Sequence, residues 1–439
     1  QGHFSNLWQR FEKESTESNI RMKLINDLKE KYDAVTGQLI DLIKFGYTLE
    51  ELKEKKINFI KCSETVPDLI KTIKNSEMVT PLSSTLTIDS NMTPETYIKE
   101  VPKIIEIEDT IRVIHSQQCP KKIKVKSTNG FDYHYLIKKD IDLRKDMRMM
   151  EFGSFINRVL KRDKRSRQRA LSIITYAVIC LDQMYGMIEW VENSATLGAT
   201  VIGMWKHLNL LPNILKLEEG FKQDTDSRMG RNEKYKFFVN CLLPGSPPMM
   251  HIWFAKNFKK LSNWYQARLA FTRTVSLWSM IGFIVGLGDR HPDNLLINLN
   301  TGACFHVDFA VLFDKGKTLN QPEIVPFRMT RNIVYGMSVL GTNGGFFATS
   351  SLILKILREN KQKILSVLQT FIHDPLIEWK LYNMSDKNPN TNNLAVWHGK
   401  MMLKEVERRL SGIIEDKFST RSPDCVVEEL IKQATDNEN

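Results

Sequence analysis

Three short segments joined by brief turns constrain the fold of this chain more than any other feature of its sequence. Residues 110–115, 121–126 and 131–137 are rich in β-branched and aromatic residues, which favour strands. The connection before the third segment is Ser-Thr-Asn-Gly, and Asn-Gly is a strong signal for a tight β-hairpin turn. Residues 1 to about 75, and most of the chain after residue 195, instead carry apolar residues at helical spacing. Between them, residues 144–169 predict a basic helix and residues 174–181 predict a strand. The sequence therefore predicts a mixed α+β fold.

A second hairpin is predicted within residues 286–313, GLGDRHPDNLLINLNTGACFHVDFAVLF. The apolar segments LLINL and ACFHVDFAV flank the turn formers Asn-Thr-Gly. The preceding apolar residues, 277–288, are too few to span a bilayer and predict a buried helix. Charged side chains next to elements that are expected to be buried call for a functional explanation, because a buried charge is costly unless it is paired.

The composition favours some classes of partner and compartment over others. Lys and Arg outnumber Asp and Glu by 62 to 51, and the net charge of +11 favours anionic partners such as nucleotides, acidic proteins, nucleic acid or an anionic membrane face. The six cysteines contain no C-x-x-C pair, which argues for a reducing cytosolic or nuclear compartment. The first residues lack the apolar core of a signal peptide. Because the chain starts without Met and ends abruptly, we expect it to be a piece of a longer protein.

Asp289, Asn294 and Asp308 form the pattern that points most directly to chemistry. Asp289 and Asn294 are five residues apart, as are the Asp and Asn of the kinase catalytic loop H-R-D-x-x-x-x-N, and Asp308 follows after a hairpin. Phosphoryl transfer needs one carboxylate to accept the proton of the attacking hydroxyl. It needs a second carboxylate and an amide oxygen to hold Mg²⁺ against the triphosphate. We therefore expect these three side chains to meet at one rim of a cleft.

Two other interpretations of these polar residues remain open from the residues alone. Asp and Asn commonly cap helices and satisfy the backbone of turns. Alternatively, His291, His306 and Asp308 would ligate the metal of a hydrolase, since a strand with the sequence H-V-D places His306 and Asp308 on one face. The hydrolase interpretation leaves Asp289 and Asn294 without a role. For His306 considered alone, we expect a hydrogen-bonded structural histidine.

A kinase also requires two strands joined by a loop over the phosphates, followed by a third strand that carries a lysine. Residues 110–138 supply such an arrangement, and the third segment ends at Lys138. An ammonium group is a compact charge suited to nucleotide phosphates. The connecting loop, Ser-Gln-Gln-Cys-Pro, contains no glycine, so this is not a kinase of the ordinary G-x-G-x-x-G type.

Six longer stretches carry a resemblance to a known family. They are DLRKDMRMMEF, YGMIEWVENSATL, GLGDRHPDNLLI, FHVDFAVLFDKGKTL, PEIVPFRMT and VLQTFIHDPLIEW, and they span most of residues 110–380. They are similar to phosphatidylinositol 3-kinase-related protein kinases, and within that family most resemble the ATR-type DNA-damage checkpoint kinases. The resemblance implies an α+β, bilobal protein-kinase-like catalytic domain of the PI3/PI4-kinase type, preceded by an α-helical FAT segment.

The resemblance also implies domain boundaries. They are the end of the helical FAT region at 1–78, the kinase N-lobe at 79–190 with its phosphate loop at 113–120, the C-lobe at 191–400 with its catalytic loop at 286–294 and activation loop at 308–330, and a helical regulatory segment with a partial FATC region at 401–439.

In the nucleotide site that the resemblance implies, Lys138 resembles the ATP lysine, with Asp146 and Tyr176 completing a polar network beside it. Backbone groups for adenine, an aromatic ring that packs on it, a pocket floor and a phosphate loop are also implied. Glu189 and Val191 would supply the backbone groups for adenine, and Trp190 would supply the aromatic ring. Leu296 and Val307 would form the pocket floor, and Ser116 and Gln117 would belong to the phosphate loop. The catalytic residues that it implies are Asp289 as the base, His291 facing the transferring phosphate, and Asn294 and Asp308 as ligands of the metal.

The same resemblance implies ATP and Mg²⁺, with Mn²⁺ as an alternative ion, and protein substrates with Ser or Thr followed by Gln. It also implies an adaptor subunit of the ATR-interacting type, activator proteins, indirect association with single-stranded DNA and a nuclear location, without membrane contact. A phosphoinositide lipid kinase and a catalytically inactive scaffold remain alternatives. The activation loop favours a peptide, because between Asp308 and Pro326 only Lys315 and Lys317 are basic and two acids offset them.

One basic stretch, residues 160–169 (LKRDKRSRQR), has no role in this scheme. Such a stretch is found in nuclear-import and nucleic-acid-binding patches. A solvated helix face in the small lobe is the expectation that we favour, because charge runs are usually solvated.

Overall fold

The structure is a computed structural model that describes residues 19–46, 48–76, 78–82, 101–116, 118–140, 143–226, 230–319, 322–337, 339–370, 391–414 and 419–436. The chain forms two compact units. The first comprises residues 1–151 and 175–192, and the second comprises residues 152–174 and 193–439. Both contain helices and strands, so the predicted α+β class is confirmed.

The first unit is built on a seven-stranded sheet with the order β1-β3-β4-β5-β7-β6, in which β2 also pairs with β4. Its elements are α1 (Asn19–Lys44), α2 (Leu49–Glu54), β1 (Phe59–Lys61), α3 (Cys62–Thr65), α4 (Leu69–Ser76), β2 (Ile104–Ile107), β3 (Thr110–Val113), β4 (Lys121–Ser127), β5 (Asp132–Lys139), α5 (Arg144–Arg162, which continues into the second unit), β6 (Val178–Cys180) and β7 (Tyr185–Glu189).

The predicted hairpin at the centre of this sheet is confirmed. β4 and β5 pair antiparallel from Lys121 opposite Ile137 to Lys126 opposite Asp132. Because side chains alternate along a strand, Tyr135 and Ile137 point into the hydrophobic core that the sheet shares with the helices before it, and Lys138 lies on the opposite face.

The expectation that residues before 75 are only helical is wrong at one point. β1 lies between two helices and pairs antiparallel with β3, from Phe59 opposite Arg112 to Lys61 opposite Thr110. Three residues are too few for a period of two to be visible in the sequence, so the strand exists because β3 offers an edge. Residues before 78 also belong to the same compact unit as the sheet. Their assignment to a FAT region stays a prediction.

The second unit is mainly helical, with a three-stranded sheet of order β10-β9-β8. Its elements are α6 (Lys164–Gln168), β8 (Ser194–Thr196), α7 (Leu197–His207), α8 (Leu211–Asp226), α9 (Arg231–Phe237), a π-helix (Phe238–Leu242), α10 (Leu243–Gly245), α11 (Met250–Asn257), α12 (Leu261–Val285), β9 (Leu295–Asn298), β10 (Cys304–His306), a 3-10 helix (Lys315–Thr318), α13 (Arg331–Gly336), a second 3-10 helix (Gly341–Asn343), α14 (Gly345–Glu359), α15 (Lys361–Leu368), α16 (Thr391–Leu410) and α17 (Pro423–Thr435).

The predicted buried helix is the C-terminal half of α12, which packs against α14 and α16. Every residue from Thr274 to Val285 is buried. The helix ends at Gly286, which has a φ of 62°, so the predicted extension to residue 288 is wrong. Glycine adopts this left-handed conformation without a steric penalty and commonly ends helices in this way.

Two further predicted elements are shorter than expected. The basic helix predicted over 144–169 breaks at Asp163, whose carboxylate accepts a hydrogen bond from the Ser166 N–H at 2.8 Å and caps α6. The strand predicted over 174–181 is reduced to β6. In the described ranges, we find no helix with the length and apolar character needed to cross a membrane.

Candidate active site

The end of α12 positions the candidate catalytic loop, residues 286–294. Asp289 has a φ of 57°, which a residue other than glycine adopts mainly where its surroundings enforce it. Its backbone N–H donates to both carboxylate oxygens of Glu323, at 2.8 and 3.0 Å. The side chain of Asp289 has no hydrogen bond or ion pair among the described residues, so its carboxylate remains available as a proton acceptor.

Glu323 is a residue whose structural role sequence reasoning missed. A Cβ atom added at Gly288 or Gly316 would lie 2.4 or 2.2 Å from its Oε2, so two glycines leave the space that this carboxylate fills. Its own N–H donates to the Gly316 carbonyl at 3.0 Å. The contact between the Glu323 carboxylate and the Asp289 N–H joins residues that are far apart in the sequence, and no local pattern indicates it.

Asn294 is buried, and three hydrogen bonds fix its position. Its Nδ2 donates to the Asp289 carbonyl at 2.9 Å, its N–H donates to the His291 carbonyl at 3.0 Å, and its carbonyl accepts the Val307 N–H at 3.1 Å. Because the amide nitrogen is used in this way, Oδ1 is the atom left to accept a ligand. Among the described residues, nothing hydrogen-bonds to Oδ1.

Asp308 follows the hairpin but does not continue its strand. β10 ends at His306, and Asp308 has a φ of 62°. The prediction that His306 and Asp308 share one face of a strand is therefore wrong, because the alternation ends where the backbone turns. Asp308 Oδ1 accepts the Ala310 N–H at 3.2 Å. The Asp308 carboxylate is thus held at the backbone N–H of Ala310.

His306 is a buried aromatic neighbour of α12. Its ring stacks on Trp278 with the centroids 4.6 Å apart and an angle of 9° between the planes. Burial lowers the pKa of His306 well below its usual value, and the positive charge of Arg290 lowers it further, so the ring is neutral at pH 7. Across the described ranges, no three His, Cys, Asp and Glu side chains form a group that could hold a metal ion. The hydrolase alternative therefore finds no support there.

Arg290 is the second residue whose role the sequence did not reveal. It is 7% exposed, and its guanidinium donates to the carbonyls of Gly288 at 2.8 Å, Val307 at 2.9 Å, and Asp308. These bonds tie the loop that carries Asp289 to the segment that carries Asp308. A guanidinium can make all three bonds because its five N–H donors are spread over a rigid plane.

His291 is exposed at the tip of the loop. Its Nδ1 accepts the Asp293 N–H at 3.2 Å, so in the neutral ring the proton is on Nε2. Asp293 is itself held, since its Oδ1 accepts the hydroxyl hydrogen of Thr196 at 3.1 Å. The ring can therefore donate a hydrogen bond from Nε2.

In the first unit, Lys138 lies on β5 opposite Gly186 of β7. Its Nζ is 2.5 Å from Oδ2 of Asp140, a partner that the sequence did not predict. Asp146 is 5% exposed and Tyr176 is 2% exposed. A polar network that joins these two residues to Lys138 stays a prediction.

The predicted adenine contacts lie at the end of β7. The Glu189 N–H donates to the Ala177 carbonyl at 2.8 Å, and the Trp190 N–H donates to the His134 carbonyl at 2.8 Å on the other edge. Successive residues of a strand point their backbone groups to alternate edges. Val191 is therefore expected to share the edge of Glu189, as adenine recognition by these two residues requires. The contact with adenine itself stays a prediction.

Trp190, the predicted platform for the adenine ring, has a cation near one of its faces. Lys122 Nζ lies 4.3 Å from the centroid of the indole ring, a cation–π contact. Sequence reasoning did not identify this contact, which reaches from β4 across β5 to the residue that follows β7.

The loop that follows β3 is closed by backbone hydrogen bonds instead of glycines. The Ile114 N–H donates to the Pro120 carbonyl at 2.9 Å, and the Cys119 N–H donates to the Ser116 carbonyl at 3.1 Å. Cys119 takes the positive φ, 44°, that glycine often supplies in such loops. Gln117, the other predicted residue of this loop, lies outside the described residues.

The predicted floor residues belong to the second unit. Leu296 pairs with Phe305 across the hairpin, and Val307 comes directly after β10. Both side chains are partly exposed. A common pocket floor formed by these two residues stays a prediction.

The geometry of the second unit therefore joins Asp289, Asn294 and Asp308 through their backbones and Arg290. Residues 132–381, more than half of the chain, match the family described as phosphatidylinositol 3- and 4-kinase.

The chain belongs to the phosphatidylinositol 3- and 4-kinase family.

Relatives of this chain include proteins that are named as protein kinases. It is 36% identical over 397 residues to the serine/threonine-protein kinase ATR of Oryza sativa subsp. indica, covering 86% of this chain and 14% of that protein. It is 35% identical over 341 residues to protein kinase rad3 of Schizosaccharomyces pombe, covering 78% of this chain and 14% of that protein. The chain thus spans about one seventh of the length of these relatives, and the predicted resemblance to the ATR-type branch is confirmed.

A solved structure shares the fold. The structure titled "FAT and kinase domain of CtTel1" superposes with a TM-score of 0.78 and 27% sequence identity, over 94% of this chain and 28% of that one. The predicted fold class, a PI3/PI4-kinase type of catalytic domain, is confirmed by this match together with the family match.

Proposed function

We propose that this chain is the catalytic part of an ATP-dependent serine/threonine protein kinase that acts in DNA-damage and replication-stress checkpoint signalling. The observation that carries the proposal is the junction made by Arg290, which binds the carbonyls of Gly288, Val307 and Asp308. It ties the residue proposed as the base to the residue proposed as a metal ligand. Relatives that are named serine/threonine-protein kinases support the same activity.

Each catalytic side chain has a role in this proposal. Asp289 accepts the proton of the substrate hydroxyl, and the Nε2–H of His291 donates to the transferring phosphoryl group. In the other compact unit, Lys138 contacts the phosphates of ATP, and Glu189 and Val191 bind adenine through their backbones.

The oxygen atoms near Arg290 fit a divalent cation. Asn294 Oδ1 and the Asp308 carboxylate are hard donors of the type that Mg²⁺ prefers, and Mn²⁺ accepts the same set. When bound, the ion would neutralise part of the negative charge of the phosphates. The nitrogen of the Asn294 amide is already committed to the Asp289 carbonyl, so its oxygen is presented without rearrangement.

The activation loop supports a protein substrate over an inositol lipid. Of its two lysines before Pro326, Lys317 lies 3.4 Å from Asp314 Oδ1, so its charge is offset locally. A polyphosphorylated headgroup would favour a cluster of uncompensated cations there. We include in the proposal a preference for Ser or Thr followed by Gln, an adaptor subunit of the ATR-interacting type, activator proteins, indirect association with single-stranded DNA, and a nuclear location.

The test compares phosphorylation of paired Ser-Gln and Ser-Ala peptides with phosphorylation of phosphatidylinositol vesicles, with Mg²⁺ and with Mn²⁺. We expect the Ser-Gln peptide to be the best substrate. Faster phosphorylation of the vesicles would instead indicate a lipid kinase.

A matched pair of variants tests the metal site independently of turnover. Asp308→Ala should abolish both phosphorylation and the thermal stabilisation of the chain by ATP with Mg²⁺. Asp27→Ala, which removes an exposed carboxylate from α1, should change neither. Normal phosphorylation by Asp308→Ala would contradict the proposal.

A further inference from the structure

A cavity of about 530 Å³ lies in the second unit, outside the candidate active site. One wall is a face of α12, a second is the turn between β9 and β10, and a third is the segment 170–174 after the basic stretch. Pockets of this volume commonly bind small molecules or single side chains of a partner.

The α12 wall is formed by residues at helical spacing. Asn263, Gln266, Ala270 and Arg273 are three or four residues apart and therefore lie on one face of the helix. The alanine leaves space between the polar side chains. The cavity is thus a concave site with amide and guanidinium groups along one side.

The hairpin wall is held firmly against α12. The Cys304 N–H donates to the Thr274 hydroxyl at 2.8 Å. At the turn, Gly302 has a φ of 74°, and a Cβ atom added to it would lie 2.7 Å from the carbonyl oxygen of Ala267. Only a glycine permits this close approach. The cavity is therefore part of a packed structure and not a gap beside a loose turn.

Arg273 has no hydrogen bond and no ion pair among the residues that the structure describes. None of the described residues that line the cavity carries a carboxylate. Burial lowers the pKa of the Arg273 guanidinium, and the positive charge of Arg169 lowers it further, against an opposing effect of Tyr265. A partly buried cation without a counter-ion is unfavourable, so the site is complementary to an anion.

The basic stretch, residues 160–169, adds to the positive charge of Arg273. The structure groups it with the second compact unit. Within residues 160–169 the charged residues are Lys161, Arg162, Asp163, Lys164, Arg165, Arg167 and Arg169. The single acid, Asp163, already caps α6.

We propose that this cavity binds a phosphomonoester dianion, with Arg273 as its principal ligand and the side-chain amides of Gln266 and Asn300 as additional donors. A guanidinium pairs with two phosphate oxygens at once, in a planar geometry that lysine cannot reproduce. A single concave cavity fits one compact phosphate better than a nucleic-acid strand, which is bound along an extended basic groove. Free phosphate and a phosphorylated residue of a peptide are two sources of the same group.

The experiment measures binding to the whole 439-residue chain by titration calorimetry, so it does not depend on kinase activity. The probes are inorganic phosphate, a phosphoserine peptide, the same peptide without phosphate, and a single-stranded oligonucleotide. We expect the phosphoserine peptide to bind and the unphosphorylated peptide not to bind. Binding of inorganic phosphate with the same dependence on Arg273 would identify free phosphate as a sufficient ligand and support the site equally.

Two arginine variants distinguish a specific phosphate site from general electrostatic attraction of anions to the basic surface. Arg273→Met should weaken phosphopeptide binding about tenfold or more, because a charge-assisted pair is lost. Arg165→Gln removes the same charge from the exposed basic stretch, and its dissociation constant should stay within about twofold. Equal losses in both variants, or preferred binding of the oligonucleotide, would overturn the proposal in favour of a general polyanion surface.

A further variant covers the case in which Arg273→Met does not fold. Asn300 is an exposed turn residue, and Asn300→Asp places a negative charge at the rim of the cavity. It should weaken phosphopeptide binding about tenfold by repulsion while the melting temperature is unchanged. Unaltered binding by this variant would also count against the site.

Discussion

At the scale of single residues, charged side chains hold the main chain of the catalytic segment in place. Arg290 donates to three carbonyls, and Glu323 accepts the Asp289 N–H with both oxygens. Neither residue is proposed to touch a substrate. They stabilise the positive φ values of Asp289 and Asp308, which unsupported residues would rarely adopt.

Replacing the proposed base tests the catalytic assignment. Asp289→Asn keeps the size of the side chain but removes the proton acceptor, so we expect kcat to fall at least about 100-fold with little change in the KM for ATP. Asp293→Asn, a neighbouring change at a residue held by Thr196, should have a much smaller effect. Steady-state kinetics with the Ser-Gln peptide measure both. Similar activities for the two variants would remove Asp289 from its proposed role.

Replacing Arg290 tests the junction. Arg290→Met leaves one buried and two partly buried carbonyls without donors, and we expect the free energy of unfolding to fall by about 3 kcal/mol, together with a loss of activity. The control is Arg331→Met, which removes a single bond to the Ser246 carbonyl and should cost about 1 kcal/mol. Urea denaturation compares them. Equal losses would show that the Arg290 bonds do not act together.

At the scale of elements, helix ends are where side chains meet unpaired carbonyls. Near the end of α12, Arg409 of α16 donates to the Phe283 carbonyl at 2.7 Å and lies 2.5 Å from Asp314 Oδ2. Near the end of α1, the buried Lys121 ammonium donates to the Ile43 carbonyl at 2.9 Å. In both cases a cation lies at the negative end of the helix dipole, where it stabilises the helix.

The Lys121 contact predicts a pH dependence. Burial lowers the pKa of Lys121 to about 8 from 10.5, against a small opposing effect of Cys119. Between these pH values the unfolded chain binds more protons than the folded chain, so the contribution of Lys121 to stability rises with pH. Lys121→Met should remove this rise. The measurement is urea denaturation of both proteins at several pH values from 7 to 10.5, and parallel curves would contradict the assignment.

At the scale of the whole molecule, the first unit has one core made from both sides of the boundary predicted at residue 78. Leu39 and Leu42 of α1, Ile60 of β1 and Ile73 of α4 are buried in the same cluster as Tyr135. The helices before the sheet therefore contribute to its hydrophobic core. This holds whether or not they belong to a FAT region.

This shared core predicts the result of a truncation. A chain that begins at residue 79 exposes the apolar face of the sheet. We therefore expect the first unit to unfold, so that Lys138 is no longer held in position on β5. Limited proteolysis should cut within 101–140 in the shortened chain and spare those residues in the full one. If both chains resist protease equally in that range, the core does not depend on the preceding helices.

How much could be predicted from the sequence differs between elements. The β4–β5 hairpin and the buried half of α12 were predicted because alternation and turn chemistry are local signals. β1, the break at Asp163 and the end of β10 at His306 were not, since three-residue elements and positive φ values leave little trace in a pattern. For the candidate site, the proposed catalytic residues were predicted from the chemistry of their side chains. Asp140, Arg290 and Glu323 were missed, because only the three-dimensional structure shows which groups they contact.

The order of residues along the chain was enough to establish the α+β class, the family and the side chains proposed for phosphoryl transfer, because all three depend on residue type and short spacing. The tertiary structure alone decided which backbone groups hold those side chains, which helices complete the first core, and that Arg273 lines a cavity to which no described residue contributes an acid. These features depend on contacts between distant positions, and such contacts form only when burial and hydrogen bonding select one arrangement of the elements.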